Sequence, residues 1–273
     1  NVAAETHVDR SILDPEAFLR TGVIGVHVLL EAIRAEAAKD RSVRFLEVST
    51  DEVYGDIPDG HSVETDPLAP RSPYAAAKAS SELLVRAYHI TYGLDVVMTR
   101  GSNTYGPYQH PEKLIPLFTT NALAGEPLPM YGDGMQVRDW LHVSDHAAGI
   151  EFVLRHGVSG EAYNVAGAKL LPNREVIGLL LEAADRDWSL VRTVPDRPGH
   201  DRRYAMDGSK LAALGWAPRV PFEDGLPATV AWYREHPEWV ASARSGDWHG
   251  YYERQYGARL AAGRAVEQQG REG

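Results

Sequence analysis

The sequence predicts an α/β fold, a mostly parallel sheet wrapped by helices and followed by a smaller second α/β domain. Three observations predict it. Short β-prone runs alternate with helical stretches of a dozen or more residues, the pattern of βαβ units. Polar clusters follow Val48 and Thr99, and such strand ends are where open parallel sheets bind ligands. From Pro107 onward Pro and Gly become more frequent and the elements shorten. The first domain is therefore expected over 1–106, with the strand and helix of 136–155 returning to it, and the second mainly over 107–273.

Each element has its own signal. Pro15 to about Lys39 reads as a long helix, with Pro15 suited to a first turn and Val26, Leu29, Leu30, Ile33 and Ala37 as its apolar stripe. Val43 to Ser49 is a short strand, and 56–71 is a loop by its Pro, Gly and Asp content. Ser72 and Pro73 open a second long helix to about residue 92, with Ser72 as N-cap and Ala79, Leu83, Leu84, Ala87 and Tyr88 at helical spacing. A strand follows from Asp95 to Thr99, a helix from Glu112 to Ala124, and a strand from Gln136 to Val143. A helix from Ser144 to Arg155 is expected to be capped by Ser144 or Asp145. Then come a strand from Ala162 to Val165, a helix from Asn173 to Ala184 and a strand from Leu190 to Val194. Phe222, Leu226, Val230 and Tyr233 mark a final helix face.

Composition narrows the function. The chain is 44% hydrophobic and 24% charged, which excludes disordered and fibrous classes. No apolar run approaches the roughly 18 residues of a membrane span. A net charge of −10 argues against general nucleic-acid binding. With no Cys, disulfides, thiolate nucleophiles and Cys-based zinc sites are excluded. His142 and His146 stand four apart, but no third ligand is evident, so no metal site is expected. Trp232, Trp239 and Trp248 are expected to pack the second domain. The chain begins at Asn1 and its first Met is Met98, so it is expected to be part of a longer protein; with no leader-like segment, a cytoplasmic location is the expectation.

Two clusters could carry chemistry. Ser49-Thr50-Asp51-Glu52-Val53-Tyr54-Gly55 stands at a strand end. Adjacent carboxylates there can reach different atoms of one ligand, and one can stay protonated while the other ionises. The plainer alternative is a solvated acidic turn. Tyr74 and Lys78 lie one helical turn apart, with three alanines between them. An ammonium beside a phenol lowers its pKa and makes it a base for an alcohol proton. Alone, that pair is a weak signal.

Together, the clusters have the arrangement of the extended short-chain dehydrogenase/reductase family. The wording is more specific: Asn1 to Ser11, Ser49 to Gly55, Arg71 to Lys78, Ser102 to Gln109, Glu112 to Pro116, Arg138 to Val143 and Arg197 to Tyr204 resemble the dTDP-glucose 4,6-dehydratases of that family, in order and over nearly the whole chain. The resemblance implies a Rossmann-like, doubly wound sheet, here lacking its N-terminal part. It implies that Tyr74, helped by Lys78 and Thr50, deprotonates the hydroxyl on carbon 4 of a nucleoside-diphosphate glucose while NAD takes hydride. Glu52 would then remove the proton on carbon 5, Asp51 would protonate the departing hydroxyl on carbon 6, and hydride would return to carbon 6. Ala3, Ala4, Glu5, Thr21 and Thr104, with Tyr74 and Lys78, are implied at the cofactor. Thr6, Thr50, Asn103, Lys113, Leu114, Pro129, Tyr131, Arg138, Asn173, Arg197 and His200 are implied at the nucleotide sugar, the arginines on the diphosphate. It also implies a homodimer through the helices of about 15–39 and 72–92.

The chain departs from the family in places. The glycine-rich turn that seats the cofactor pyrophosphate on a helix N-terminus has no counterpart here, since Gly22 and Gly25 fall inside a helical pattern. Thr6 replaces the commoner Ser and Gly22 the usual Asn, and 167–172 differs from the usual loop. A nucleotide-sugar epimerase or decarboxylase on the same scaffold, or a non-catalytic remnant, stays open at this stage.

Overall fold

The computed structural model describes residues 1–41, 43–167, 169–246 and 248–261. The chain divides into two compact units: one of Asn1–Thr104, Arg138–Leu170 and Asp201–Val220, the other of Tyr105–Val137, Leu171–His200 and Pro221–Gly273. The sequence reading divided the chain at 106 and returned 136–155 to the first domain; the compact unit takes in 138–170 and, in addition, 201–220.

The first unit is built on a parallel sheet in which Val96–Gly101 lies between Phe45–Thr50 and Ala162–Val165. Phe45 sits opposite Val96, and Met98 opposite Ala162. All six residues of the central strand are buried, as expected where helices cover both faces. Side chains alternate across the sheet. Val96 and Met98 join Val26, Leu30, Val85 and Tyr88 on one side. Leu46 and Val97 join Leu141, Val153, Tyr163 and Leu211 on the other. The sheet is therefore doubly wound. Asn1 adds to its edge: the Asn1 amino group donates to the Leu46 carbonyl, and Val48 N donates to Asn1 O at 3.1 Å. That is a parallel pairing, so the residues after Asn1 run toward the carboxyl ends of the strands.

Two helical stretches position the chemistry. Pro73–Tyr92 starts where Ser72 accepts a hydrogen bond from Ala75 N and ends at Gly93, whose φ is 69°. Its inner face is only partly the predicted one: Ala79 and Tyr88 are buried and Leu84 packs against the core as expected. Leu83 and Ala87 face solvent, while Ala77, Lys78, Ser81, Glu82 and Val85 are buried; an inward polar stripe reads as an outer face to a hydrophobicity count. The predicted 15–39 helix is three pieces in sequence: Pro15–Leu19, a π turn at Arg20–Ile24, and Gly25–Ala37. Phe18, Gly22, Val26 and Leu30 are its buried residues. They recur every four residues, wider than the about 3.6 of an α-helix, and the wider π turn offsets the drift. Leu29 and Ala37, predicted inward, are exposed.

Some boundaries differ from expectation. The first strand begins at Phe45 and includes Thr50. The Val143–His156 helix is capped not by Ser144 or Asp145 but by His142, which accepts from Ser144 N. Asp145 instead accepts from Arg219 N and Val220 N at 2.9 and 2.8 Å. A short helix at Val8–Leu13 and short strands at Asn103–Tyr105, Leu128–Tyr131 and Lys169–Pro172 were too brief for periodicity to reveal.

The second unit packs the helices Leu114–Ala124, Asn173–Ala183 and Phe222–Glu235 with a parallel pair, Leu128–Tyr131 beside Val191–Val194. Phe222, Leu226, Val230 and Tyr233 are all buried, as their spacing predicts. Trp232 and Trp239 meet edge to face at 5.3 Å beside Tyr108, and Trp248 is buried, so these tryptophans pack this unit.

Candidate active site

The acid pair sits where the first strand ends. After Thr50 the chain tightens into a 3-10 turn, Asp51–Tyr54, closed by Gly55. Gly55 has φ 77°, and a Cβ there would overlap the Ala69 carbonyl, so only glycine suits the turn. Ala69 N in turn donates to Val53 O at 2.8 Å, docking the following loop. Thr50 Oγ1 accepts from Glu52 N at 3.3 Å and donates to Asp51 Oδ1 at 3.0 Å. Asp51 is 4% exposed, whereas Glu52 is half-buried. Burial, then the neighbouring Glu52 charge, pushes the Asp51 carboxyl up to about 8; the Thr50 hydrogen bond and Arg138 only partly offset this. Asp51 is therefore protonated at neutral pH. Its Oδ2 is buried with no hydrogen-bond partner among the described residues, so a donor stands ready without a recipient.

Tyr74 is half-buried, with Phe18 edge-on to its ring at 6.3 Å. Its hydroxyl is hydrogen-bonded to Thr50 and is pushed up by burial and by Glu52 and Asp51. Here the sequence expectation needs correction. Lys78 does not depress this phenol: its ammonium is bound to Glu47 at 2.8 Å, and Glu47 also accepts from Ser81 Oγ at 3.3 Å and from Asn1 Nδ2 at 2.8 Å. Both partners are buried, Glu47 completely. A charge inside an otherwise apolar strand was the only available sign of Glu47, and it was missed.

Arg138 is 5% exposed. Its guanidinium lies over the Tyr204 ring at 4.2 Å and donates to Asp201 O at 2.9 Å. Tyr204 OH donates to Asp201 Oδ2 at 2.6 Å, and Arg71 lies 3.0 Å from the other oxygen. Asp139, next to Arg138, accepts from Ser102 Oγ and Gly167 N, both at 2.8 Å, and burial pushes it up to about 6. Asp139, Asp201, Tyr204 and Arg71 were quoted within sequence motifs without a role, because only the fold brings them beside the acid turn.

The remaining predicted residues fall as follows. In the first unit, Ala3, Glu5, Thr6 and Thr21 are exposed and Ala4 is half-buried. Asn103 is half-buried with its Oδ1 lacking a partner, and Thr104 Oγ1 meets His146 Nδ1 at 2.7 Å. In the second unit, Lys113 immediately precedes the helix Leu114–Ala124, of which Leu114 is the first residue. Pro129 is buried and Tyr131 half-buried, with His200 edge-on to Tyr131 at 5.9 Å. Asn173 N donates to Gln136 O at 2.9 Å, its buried Oδ1 has no partner, and Arg197 N donates to Asp196 Oδ1 at 2.8 Å. His200 Nδ1 lies 2.6 Å from the same Asp196 oxygen. Burial pushes His146 down to about 4, so it is a neutral core histidine. Among the described residues no group of His, Asp and Glu could hold a metal.

The first unit thus presents a protonated carboxyl, a second carboxyl and a phenol-hydroxyl pair at the carboxyl ends of parallel strands. The unpartnered donor at Asp51 and the unfilled acceptor at Asn103 suit a polar ligand with hydroxyl groups. The arrangement can exchange protons at several atoms of one polyol.

Comparison with known proteins adds to this geometry. The family model described as GDP-mannose 4,6 dehydratase matches residues 1–229. A dTDP-glucose 4,6-dehydratase of Streptomyces niveus is 53% identical over 246 residues, covering 90% of this chain and 72% of that protein. The dTDP-glucose 4,6-dehydratase 1 of Escherichia coli K12 is 46% identical, covering 95% and 78%. Among solved structures, a Streptomyces venezuelae dTDP-glucose 4,6-dehydratase with NAD and TYD bound superposes with TM-score 0.85 at 53% identity, over 88% of this chain and 74% of the other. A Thermus thermophilus UDP-glucose 4-epimerase with NAD gives TM-score 0.80 at 34% identity, over 85% and 76%.

Proposed function

The chain belongs to the GDP-mannose 4,6-dehydratase family, and from that premise we propose that it is an NAD-dependent dTDP-glucose 4,6-dehydratase, a hydro-lyase that makes the 4-keto-6-deoxy sugar. The observation that carries the reading is the acid pair itself: Asp51, buried with its Oδ2 unpartnered among the described residues, stands beside half-buried Glu52 in the turn at the strand end. Expelling water requires an acid at the leaving oxygen and a base at the neighbouring carbon. Epimerisation requires no second acid, so the acid pair favours dehydration over the epimerase and decarboxylase alternatives. Intact Thr50, Asp51, Glu52, Tyr74 and Lys78 argue against a decayed site.

Bound NAD supplies the oxidant at carbon 4 and the reductant at carbon 6. The chain's own residues handle the protons. Tyr74 would act as its phenolate, taking the proton of the carbon-4 hydroxyl; the hydrogen bond with Thr50 favours that form against burial and the acid pair, and the positive charge that bound NAD would bring favours it further. Once carbon 4 is a ketone, the hydrogen on carbon 5 is acidic and Glu52 removes it. The electron pair forms the carbon 5–carbon 6 double bond, the carbon 6–oxygen bond breaks, and Asp51 gives its proton to the departing oxygen as water. Glu52 returns a proton to carbon 5 as carbon 6 is reduced. Each transfer is worth on the order of a hundredfold to ten-thousandfold.

Binding roles follow the motifs. Ala3, Ala4, Glu5, Thr21, Lys78 and Thr104 would hold NAD. Thr6, Asn103, Lys113, Leu114, Pro129, Tyr131, Asn173 and His200 would hold the nucleotide sugar, with Arg138 and Arg197 at the diphosphate. The first unit serves the cofactor and the second mainly the nucleotide. A homodimer through the two long helices is supported by exposed Leu19, Ile24, Val28, Leu83 and Ile90 on them. No described helix is long and apolar enough to cross a membrane; we place the enzyme in the cytoplasm with its sugar-nucleotide substrate. The test is incubation of the NAD-loaded protein with dTDP-glucose. A product lighter by one water supports dehydration, and a product of unchanged mass supports epimerisation instead.

A further inference from the structure

We infer that Arg100 is a positioning residue that ties the two halves of the catalytic machinery together. It stands on the central strand, Val96–Gly101. Its Nε and Nη2 donate to Glu82, with Nη2 to Oε2 at 2.7 Å and Nε to Oε2 at 3.0 Å. Its Nη1 donates to Tyr54 OH at 2.6 Å and to Glu64 O at 3.1 Å. Glu82 lies one helical turn beyond Lys78 on the helix that also bears Tyr74. Tyr54 is the last residue of the turn that bears Asp51 and Glu52. One guanidinium therefore grips both elements.

The protons on this network have one arrangement. Tyr54 OH donates to Asn164 Oδ1 at 2.8 Å, which spends its only proton and leaves its oxygen to accept from Arg100. Asn164 is itself fixed by donating to Ser62 O and Asp207 O at 3.0 and 3.1 Å. Arg100, Glu82 and Tyr54 are 6%, 3% and 4% exposed. A buried ion pair is a poor source of net stability, since apolar replacements often match it. What a planar fork supplies is direction: it holds a carboxylate at two points and still reaches the phenol, which a single ammonium cannot do.

This inference rests on the dehydratase reading. Oxidation depends on Tyr74 and Lys78, and elimination on Asp51 and Glu52. The ketone made by the first pair must lie in register for the second, and a displacement of about 1 Å can lower a rate by about a hundredfold. Releasing the turn while leaving the helix should slow elimination selectively.

The experiment is single-turnover kinetics of the NAD-loaded protein with dTDP-glucose, following NADH absorbance for oxidation and product mass for loss of water. Tyr54→Phe removes the acceptor for Arg100 but leaves Glu82 bound. We expect elimination to fall by roughly ten- to a hundredfold while oxidation changes less than about threefold, so that NADH accumulates. Arg100→Lys, which keeps the charge beside Glu82 but loses the fork, should shift the ratio of the two steps in the same direction. A general loss of packing would lower both steps together and leave the ratio unmoved. Equal losses in both steps, or no change in either variant, overturns the tie. A wild-type protein that forms neither NADH nor a dehydrated product overturns the dehydratase reading and the tie with it; the wild-type control separates the two failures.

Discussion

Asp51 carries the largest local cost in the proposed chemistry. Its carboxyl ionises near 3.8 when exposed and at about 8 in the fold. A raised carboxyl binds its proton more tightly folded than unfolded, so its contribution to stability is most favourable below the unfolded value. It worsens as pH rises through the interval between the two values. Asp51→Asn removes this penalty. The stability gap between variant and wild type, from urea unfolding, should grow in the variant's favour from about pH 4 to about pH 8 and then level off. A gap independent of pH would mean that Asp51 is not held neutral. In the wild type, elimination should also decline above about pH 8 as Asp51 loses its proton. The residue types of this site were legible in the sequence; their electrostatics were not. Lys78 appears beside Tyr74 in the helix, yet its charge is bound to Glu47, a residue that comes near only because the helix packs on the Phe45–Thr50 strand.

Among the elements, those bounded by local chemistry were the readable ones. Ser72 and Pro73 fix the start of the 73–92 helix, and Gly93 its end. Ser72→Ala should cost about 1 kcal/mol by denaturant titration, and a change under about 0.2 kcal/mol would deny the cap its role. Gly55→Ala should cost more, since it adds an unfavourable φ to a clash with Ala69 O; a neutral result would mean that the acid turn closes differently. The π turn at Arg20–Ile24 left no local mark. Its cause is the demand that Phe18, Gly22, Val26 and Leu30 share one face, where a side-chain carbon at Gly22 would come within 3.3 Å of the Ala77 methyl. Such tertiary demands override a regular period. The same holds for Ser81 and Glu82, polar residues turned inward because Glu47 and Arg100 receive them.

For the whole molecule, the alternation of strands and helices was enough to read a mostly parallel sheet, because each crossover contributes its own periodic signal; its doubly wound form was implied by the family resemblance. The return of 201–220 to the first unit was not readable, since that stretch carries one short helix, Ser209–Ala213, and little pattern. The exposed apolar residues on the two long helices belong to this scale. Light scattering at micromolar concentration should give a dimer, and Ile90→Glu with Leu83→Glu should give a monomer; a monomeric wild type would contradict the proposed assembly. The most direct test of the account is single turnover of Asp51→Asn, loaded with NAD, on dTDP-glucose. NADH should form at close to the wild-type rate while water loss slows by about a hundredfold or more. Oxidation and water loss falling together, by the same factor, would contradict the role assigned to Asp51 and the mechanism built on it.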